Sequence, residues 1–303
     1  MSKEYIKSPL NYTGGKHRLL PQLMPLFPQK IGTFVDLFCG GGNVGVNINA
    51  DKIIYNDSND KLIGLLKTLG KYKPEKTISK IEELINRYNL SDSYNNGYSF
   101  YECKSGKGLS DYNKMGYLRL RNDFNQLKRR DSNYYYYLFT LIIFAFNNQI
   151  RFNGKGQYNL PVGKRDFNSN IRRNLIDFVT SLNNQNAEYV SKSFVRFDMS
   201  LLDENDFVYC DPPYLITTAS YNEMGGWTDK DEEALLLFLD KLNENQIRFA
   251  LSNVTKHKGK ENRLLIEWAK KYTVHYLAFN YNNSSYHGKD TERETQEVLI
   301  TNY

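Results

Sequence analysis

The sequence predicts an α/β protein with a doubly wound, mainly parallel sheet and an antiparallel C-terminal hairpin. Three observations support this fold class. Short β-prone apolar runs alternate with segments of helical periodicity; these runs are residues 33–39, 53–55, 207–210 and 248–252. The first run leads directly into a glycine-rich turn at residues 40–45. Two further β-prone runs, 274–280 and 297–301, flank a polar loop, as expected of a hairpin.

The middle of the chain is predicted to be mostly helical. Leucine and isoleucine recur at i, i+3 and i+4 spacing over residues 62–85, and the apolar block 138–146 fits a buried helix. Residues 91–115 are rich in Ser, Asn, Gly and Tyr, so we expect a long loop there, with helix resuming at Tyr117. Residues 146–165 contain an Asn-Gly turn signal and predict a hairpin.

The second half of the chain continues the alternation of helices and strands. Its predicted elements are a helix over 171–182, a strand over 194–198, a mobile lid over 215–229, a helix capped by Thr228 and Asp229, and a helix that ends at Tyr272.

The distribution of charge points to a nucleic-acid contact. The 303-residue chain has a formal net charge of +6. Residues 114–173 hold twelve Lys and Arg and three Asp, a net charge of +9, so the rest of the chain carries −3. Basic charge concentrated in one segment is typical of a nucleic-acid-binding surface, and a solvated basic face is the alternative.

Cysteine and histidine usage predicts a reduced, metal-free protein of the cytoplasm. Three cysteines cannot form a disulfide framework, and neither they nor the four scattered histidines have the spacing of metal ligands. The apolar block 138–146 is far shorter than the roughly 20 residues that a membrane-spanning helix needs, so we expect no membrane contact.

Two glycine-containing segments are candidates for ligand binding. Gly40, Gly42 and Gly45 match the G-x-G-x-x-G dinucleotide pattern. However, the turn is followed by room for only a short helix, and Asp36 lies within the preceding strand, where it can meet a ligand ammonium group. These features favour another nucleoside ligand over nicotinamide. The second segment, Gly-Gly-Lys16, lacks the remaining residues of a phosphate-binding P-loop, which argues against nucleoside triphosphates.

The segment Asp211-Pro212-Pro213-Tyr214 is the candidate catalytic motif. It follows the apolar run 207–210 directly, and two consecutive prolines stop further strand pairing. A carboxylate and an aromatic ring are thereby delivered to the carboxyl end of a strand, where open α/β sheets bind their ligands.

These motifs together resemble those of a known enzyme family. Asp211–Tyr214 resembles the catalytic motif of the amino-group DNA methyltransferases. The segment 36–42 resembles the S-adenosylmethionine motif of the Dam-like adenine methyltransferases. The order of motifs resembles the alpha group of adenine-N6 DNA methyltransferases, and the resemblance spans nearly the whole chain. It implies a Rossmann-like methyltransferase sheet, with residues 1–57 and 191–303 forming the cofactor-binding catalytic domain and 58–190 an inserted, mostly helical target-recognition domain with a β-hairpin.

The resemblance also implies roles for individual residues. The Asp211 carboxylate and the Pro212 carbonyl would accept the two amino hydrogens of a flipped adenine, Pro213 would stiffen that carbonyl, and Tyr214 would stack on the base. The cofactor is S-adenosylmethionine. The implied cofactor-binding residues are Tyr12, Lys16, Asp36, Phe38, Gly40, Gly42, Asp57, Phe197 and Asp198.

The remaining implied contacts are to double-stranded DNA. Arg151 would read a guanine, Phe146 would wedge into the gap left by the flipped base, and Pro161 would contact a thymine. The implied DNA-binding residues are Asn11, Phe146, Asn148, Gln149, Arg151, Lys155, Pro161, Lys164 and Arg165. The recognition sequence implied by the family is GATC, although Asn11 and Gln149 depart from the pattern of its members. A cognate restriction endonuclease is a possible partner.

Two alternatives stay open at this point. One is a methyltransferase for RNA, cytosine N4 or a protein amide. Asp211 favours adenine, because cytosine enzymes more often have Ser at that position and protein-amide enzymes Asn. The other is a non-catalytic DNA-binding regulator, in which the catalytic motif would be degraded. The motif is intact.

Overall fold

The computed structural model describes residues 4–12, 14–103, 106–217, 226–278 and 295–303. Its centre is an eight-stranded sheet in which seven strands follow the order β3-β2-β1-β4-β5-β8-β7 and β6 pairs with β5. The strands are β1 Thr33–Asp36, β2 Lys52–Asn56, β3 Ala187–Val190, β4 Phe207–Cys210, β5 Arg248–His257, β6 Lys260–Glu261, β7 Thr273–Leu277 and β8 Gln296–Thr301. Strands β1 to β5 pair in parallel, whereas β6, β7 and β8 are antiparallel to their neighbours.

The strand order creates a switch point between β1 and β4. From β1 the chain builds outward through β2 and β3, and it then returns to the other side of β1 as β4 and β5. Connections therefore leave β1 and β4 in opposite directions and open a crevice at their carboxyl ends. Asp36 is the last residue of β1 and pairs with Tyr209 of β4, two residues before Asp211.

Helices cover both faces of the sheet. They are α1 Leu20–Leu23, α2 Asp60–Lys71, α3 Pro74–Arg87, α4 Ser93–Asn96, α5 Ser110–Gln126, α6 Ser132–Phe144, α7 Ser169–Asn184, α8 Asp229–Glu244 and α9 Arg263–Ala269. Alternate residues of β1 and β4 enter different cores. Phe34 and Tyr209 belong to the core that includes residues of α2, α6 and α7, whereas Val35 and Val208 belong to the core that includes residues of α8 and α9. This alternation is the expected result of the two-residue period of a strand.

Several predicted elements are confirmed. The parallel sheet, the C-terminal antiparallel pair β7–β8 and the buried helix α6 are present. The capped helix begins at Asp229, where Thr228 and Asp231 form a reciprocal capping box. The lid prediction falls partly on residues 218–225, and the polar loop predicted over 282–295 falls almost wholly on residues 279–294; residues 218–225 and 279–294 lie outside the described residues.

The predicted strand over 194–198 is wrong. The edge strand is β3, and residues Phe194–Arg196 form a 3-10 turn. The amide side chain of Asn56 accounts for the difference. It accepts a hydrogen bond from the backbone N–H of Lys192 at 3.2 Å and donates one to the backbone C=O of Lys192 at 3.1 Å. These two hydrogen bonds replace strand pairing where the chain leaves the sheet. Phe194 is then buried over the carboxyl end of the sheet instead of entering it.

Residues 91–103 and 106–115 contain more regular structure than the predicted loop. The segment contains α4, a 3-10 turn at Ser99–Tyr101 and the first turn of α5, which begins seven residues before Tyr117. Composition misled the prediction here because α5 turns a polar residue, the fully buried Asn113, toward its packed face. Hydrogen bonds replace apolar contacts at that position.

The predicted hairpin over 146–165 is an irregular loop. Its described residues carry isolated antiparallel bridges, Ala145–Val162 and Phe152–Tyr158, and no named strand. The turn is closed by Gly156 N donating to Asn153 O at 2.8 Å, and Gly156, with φ of +73°, takes the left-handed conformation.

Among the described helices, none is long and apolar enough to cross a membrane.

Candidate active site

A cavity of about 380 Å³ lies at the switch point between β1 and β4. Its walls come from the segment before α1, the glycine turn after β1, the end of β2, the segment after β3 and the segment after β4. Ten predicted site residues line it: Tyr12, Lys16, Asp36, Phe38, Gly40, Asp57, Asp211, Pro212, Pro213 and Tyr214. The fold therefore joins the predicted cofactor and catalytic motifs in one space.

The glycine turn is shaped by close approach of other groups. Gly40 has φ of +48°, and a Cβ there would lie 2.9 Å from the Tyr12 ring. Gly42 has φ of +74° and faces Phe178 of α7, so this glycine packs against the helix layer and does not line the cavity. The backbone N–H of Gly40 donates to Asp57 Oδ2 at 3.1 Å, which ties the turn to the end of β2.

Asp36 is a buried carboxylate beneath this turn. Gly45 N donates to its Oδ2 at 3.1 Å. Burial raises the pKa of Asp36 to about 8, the Gly45 hydrogen bond opposes that rise, and the nearby carboxylates Asp211 and Asp57 add to it. A carboxyl group in such surroundings gains strongly from a cationic ligand.

Asp57 has a similar environment at the other side of the turn. Burial raises its pKa, while hydrogen bonds from Asn59 N, at 2.9 Å, and Gly40 N favour the ionised form. The Asp57 side chain precedes the start of α2 and borders the cavity. A carboxylate in this position is suited to accepting hydrogen bonds from the hydroxyl groups of a ligand.

The catalytic motif is joined to the N-terminal segment by a buried ion pair. Lys16 Nζ lies 2.8 Å from Asp211 Oδ1 and 3.6 Å from Glu297 Oε1. The Tyr214 hydroxyl lies 3.1 Å from each of these two carboxylate oxygens. Burial raises the pKa of Asp211, and the Lys16 charge opposes that effect.

An aromatic wall closes one side of the cavity. The rings of Phe38, Phe194 and Trp227 lie 5.5 to 5.9 Å apart, measured between centroids. Trp227 Nε1 donates to Glu232 Oε2 at 2.6 Å. Glu232 is fully buried at the start of α8, and its other oxygen accepts from Asn253 and Asn262. These contacts hold the indole ring against the cavity.

Some site residues were missed, and others lie elsewhere. Phe197 and Asp198 do not line the cavity, since the chain turns at Phe194 and Asp198 caps the following 3-10 turn through Ser200. Their cofactor roles stay predictions, as does that of Gly42. The missed residues are Phe194, Trp227, Glu232 and Glu297. No local motif marks them, and a buried acid within the strand Gln296–Thr301 was the one available signal for Glu297.

The segment after α6 carries the first group of predicted DNA contacts. Phe146 is 47% exposed, whereas the side-chain amide of Asn148 donates to the carbonyls of Ile142 and Ile143 at the end of α6. Asn147 and Asn148 both have positive φ, near +54°. Asn11 Nδ2 donates to Asn147 O at 2.8 Å, which connects this turn to the segment that carries Tyr12 and Lys16.

The irregular loop over 149–165 presents the remaining predicted contacts. Arg151 is exposed, and its Nε donates to Asn159 Oδ1 at 3.0 Å, which orients the guanidinium group. Gln149 is partly buried, and its carbonyl accepts from the buried Tyr158 hydroxyl at 2.9 Å. The other predicted contacts in this loop are exposed: Lys155, Pro161, Lys164 and Arg165.

A buried polar network anchors the C-terminal arm of this loop. Asp166 is fully buried and accepts hydrogen bonds from Ser91 Oγ at 3.0 Å, Ser93 N at 2.7 Å and Ser93 Oγ at 2.6 Å. Asn113 of α5 exchanges two further hydrogen bonds with Ser91. The 91–115 segment therefore braces the arm next to Lys164 and Arg165.

Comparisons with known proteins identify the family of this chain. The chain matches the profile of the D12 class N6 adenine-specific DNA methyltransferases over residues 12–283. It is 46% identical to the type II methyltransferase M.FokI of Planomicrobium okeanokoites and 44% identical to the modification methylase StsI of Streptococcus sanguinis. Each comparison covers all of this chain and 44% of the relative, so the chain spans less than half the length of these proteins. The DNA adenine methylase of Escherichia coli K12 is 25% identical over 96% of the chain and 93% of its own length.

The mainly parallel sheet, its antiparallel end strands and the cavity at the switch point define a Rossmann-like methyltransferase fold. The chain belongs to the family of D12 class N6 adenine-specific DNA methyltransferases.

We expect the pKa of Asp36 to make stability depend on pH. The folded pKa of about 8 lies above the ordinary value of 3.8, so its contribution to stability is full below pH 3.8 and is lost as pH rises through 8. Asparagine does not titrate. The melting temperature of Asp36→Asn should therefore exceed that of the wild type at pH 8, and the gap should narrow at pH 5. The explanation would be contradicted if the difference in melting temperature between Asp36→Asn and the wild type were the same at pH 5 and pH 8. It would also be contradicted if Asp111→Asn, at an exposed site, showed the same pH-dependent difference.

We expect Asp166→Ala to destabilise the protein. The substitution leaves the Ser93 amide and the Ser91 and Ser93 hydroxyls without their acceptor, at a cost of about 2–4 kcal/mol. Equilibrium unfolding in urea measures the change. Asp111→Ala, which removes an exposed pair with Lys107 in the same segment, is the matched control and should cost about 0.5 kcal/mol or less. Similar losses in the two variants would show that the brace does not contribute.

Proposed function

We propose that this protein transfers a methyl group from S-adenosylmethionine to N6 of a flipped adenine in a short site in duplex DNA. The observation that carries the proposal is the shared cavity, in which Asp211 and the glycine turn with Asp36 face one space. A methyl donor and an acceptor base can meet there without crossing protein. The family and the names of the relatives support the same reaction.

The cavity residues fit S-adenosylmethionine. Asp36, whose burial holds its pKa at about 8, would bind the ammonium group, and Asp57 the ribose hydroxyls. Lys16 and Tyr12 line the side of the cavity that would hold the carboxylate of the cofactor. The aromatic wall suits the adenine ring of the cofactor. When bound, the cofactor supplies an electrophilic methyl group on a sulfonium sulfur. The roles of Gly42, Phe197 and Asp198 near the cofactor remain part of this proposal.

Asp211 and Pro212 act on the acceptor amine. Its lone pair is conjugated into the adenine ring, so the free base is a poor nucleophile. Acceptance of the two amino hydrogens by the Asp211 carboxylate and the Pro212 carbonyl favours a pyramidal nitrogen. Pro213 limits the movement of that carbonyl, and Tyr214 stacks on the base. The buried setting strengthens each of these interactions relative to water.

The basic region over 114–173 would bind the DNA. The exposed loop over 149–165 carries Arg151, whose fork suits guanine O6 and N7, and Phe146 is exposed just before that loop. Lys155, Lys164 and Arg165 suit phosphates. Asn11, Asn148, Gln149 and Pro161 complete the proposed contact set.

The finer points of the proposal concern target and setting. GATC is the sequence that the resemblance implies, and Asn11 and Gln149 are the positions where another sequence would be specified. The relatives are named modification methylases, which supports a role beside a restriction endonuclease that cuts the same site. Residues 58–190 would form the recognition domain, and the enzyme would work in the cytoplasm on the cell's own DNA.

The direct experiment is methyl transfer to a plasmid, with the modified adenines mapped by sequencing. We expect wild-type activity, and a loss of at least about 100-fold in Asp211→Asn because the transition-state contact to the amine loses its charge. Binding of S-adenosylmethionine, measured by calorimetry, should change far less. Asp51→Asn, on an exposed aspartate at the opposite end of β2, is the control and should stay active. If the wild type binds DNA but does not methylate it, the result would favour a non-catalytic regulator. If the wild type methylates RNA and not DNA, the result would favour an RNA methyltransferase.

Arg151 and Lys155 should differ in what they contribute to DNA binding. Arg151→Ala should cost about 1–3 kcal/mol on the preferred sequence and relax the requirement at one base pair. Lys155→Ala should weaken all duplexes about equally and lower the slope of log affinity against log salt by about 1. Fluorescence anisotropy with duplexes that vary one base pair at a time separates the two patterns. Equal behaviour of both variants would contradict base reading by Arg151.

A further inference from the structure

Glu232 is a fully buried carboxylate in the first turn of α8, and it accepts hydrogen bonds from three neutral side chains. The indole Nε1 of Trp227 donates to its Oε2 at 2.6 Å. The side-chain amides of Asn253 and Asn262 donate to its Oε1 at 3.0 and 2.8 Å. Because Trp227 lines the cavity, Glu232 contacts the aromatic wall from the protein interior.

Backbone groups fix the orientation of the two asparagine amides. Asn253 Oδ1 accepts from Val254 N at 2.7 Å. Asn262 Oδ1 accepts from Leu265 N at 3.1 Å, where it caps α9. Each amide therefore turns its NH2 group toward Glu232, and the indole N–H can only donate. With donors on both sides, the position suits a group whose two oxygens both accept. A carboxylate provides this, and a carboxamide of the same shape does not.

The strand order places the aromatic wall at one end of the cavity. Asp211 follows β4, and Asp36 ends β1. Asp57 follows β2 and Phe194 follows β3, and the four strands are neighbours in the order β4-β1-β2-β3. A ligand that presents its methyl group near Asp211 and its ribose at Asp57 therefore directs its base toward Phe194. The ring of Trp227 lies 5.7 Å from the ring of Phe194 and borders the same space.

We propose that Glu232 is a positioning residue that sets the affinity for S-adenosylmethionine by holding the Trp227 ring against the adenine of the cofactor. This inference rests on the proposed function, which supplies the cofactor. The apolar contacts of Trp227 with the rest of the wall are not directional, whereas a hydrogen bond from the indole N–H fixes the rotation of the ring. A ring that is held in place before binding loses less conformational freedom when the cofactor binds, so the affinity is higher.

Glu232→Gln tests this role because it keeps the shape and turns one acceptor into a donor. The new NH2 group must face either the indole N–H or the two asparagine amides. We expect the Kd for S-adenosylmethionine, measured by calorimetry, to rise about tenfold, whereas kcat for DNA methylation at saturating cofactor changes by less than about threefold. Glu233→Gln removes an exposed carboxylate at the next position of α8 and is the matched control, with wild-type behaviour expected. A fall in kcat with unchanged Kd would overturn the inference.

The same substitution in a Trp227→Phe background separates positioning from a general structural role. Trp227→Phe removes the indole donor, so the glutamine of Glu232→Gln can turn its oxygen to both asparagines without facing a third donor. We expect Glu232→Gln to change the Kd by less than about threefold in this background. An equal rise of the Kd in both backgrounds would show that Glu232 does not act through Trp227. If melting temperatures show that Glu232→Gln does not fold, Trp227→Phe alone decides, and unchanged cofactor affinity in that variant would overturn the inference.

The hold on the indole ring can also be measured without cofactor. The chain has two tryptophans, so Trp268→Phe leaves Trp227 as the single emitting tryptophan. Acrylamide should quench its fluorescence more strongly when Glu232→Gln is added to Trp268→Phe than when Glu233→Gln is added. Equal quenching in the two proteins would contradict a hold by Glu232.

Failure of this inference can be told apart from failure of the proposed function. Wild-type protein that binds S-adenosylmethionine but does not methylate DNA would refute the proposed function, and the Kd comparison would then decide the role of Glu232 by itself. Wild-type protein that does not bind S-adenosylmethionine would overturn the inference.

Discussion

The structure depends on how one buried ammonium group, Lys16, is compensated among buried acids. Asp211 and Glu297 contact it directly, and Asp36 and Asp57 lie across the same cavity. Negative charge in low-polarity surroundings is costly unless a cation or hydrogen-bond donors are near. The site therefore has more acid than its own lysine can compensate. That excess prepares it for a positively charged ligand. Burial is the main reason why the pKa of Asp36 is raised to about 8, and the neighbouring carboxylates Asp211 and Asp57 add to the rise.

Sequence reasoning succeeded where the signal was local. Strand β1, the glycine turn that follows it and the segment Asp211–Tyr214 are each contiguous in the sequence. The backbone conformations that their glycines and prolines allow can be recognised from the local sequence alone. The parallel arrangement then brings the ends of β1 and β4 together as a matter of topology. This is why ten of the predicted site residues border one cavity, although they come from segments up to about 200 positions apart.

The predictions that failed, and the site residues that were missed, depend on contacts between residues that are distant in the sequence. The strand predicted over 194–198 was displaced because a side chain, Asn56, satisfies the backbone of Lys192. Glu232 and Trp227 serve the cavity through a network with Asn253 and Asn262, and no spacing rule describes such a network. The 91–115 segment looked like a loop because its anchors are serine and asparagine, which composition alone associates with turns.

The position of β8 has a consequence for how the edge of the sheet is held. This strand is inserted between β5 and β7, and it delivers Glu297 to a lysine that precedes it by 281 positions in the sequence. Among the described strands, β7 is joined to the sheet through β8, since it pairs with β8 and β8 pairs with β5. The antiparallel edge of the sheet and the contact between Glu297 and Lys16 therefore depend on the docking of one strand.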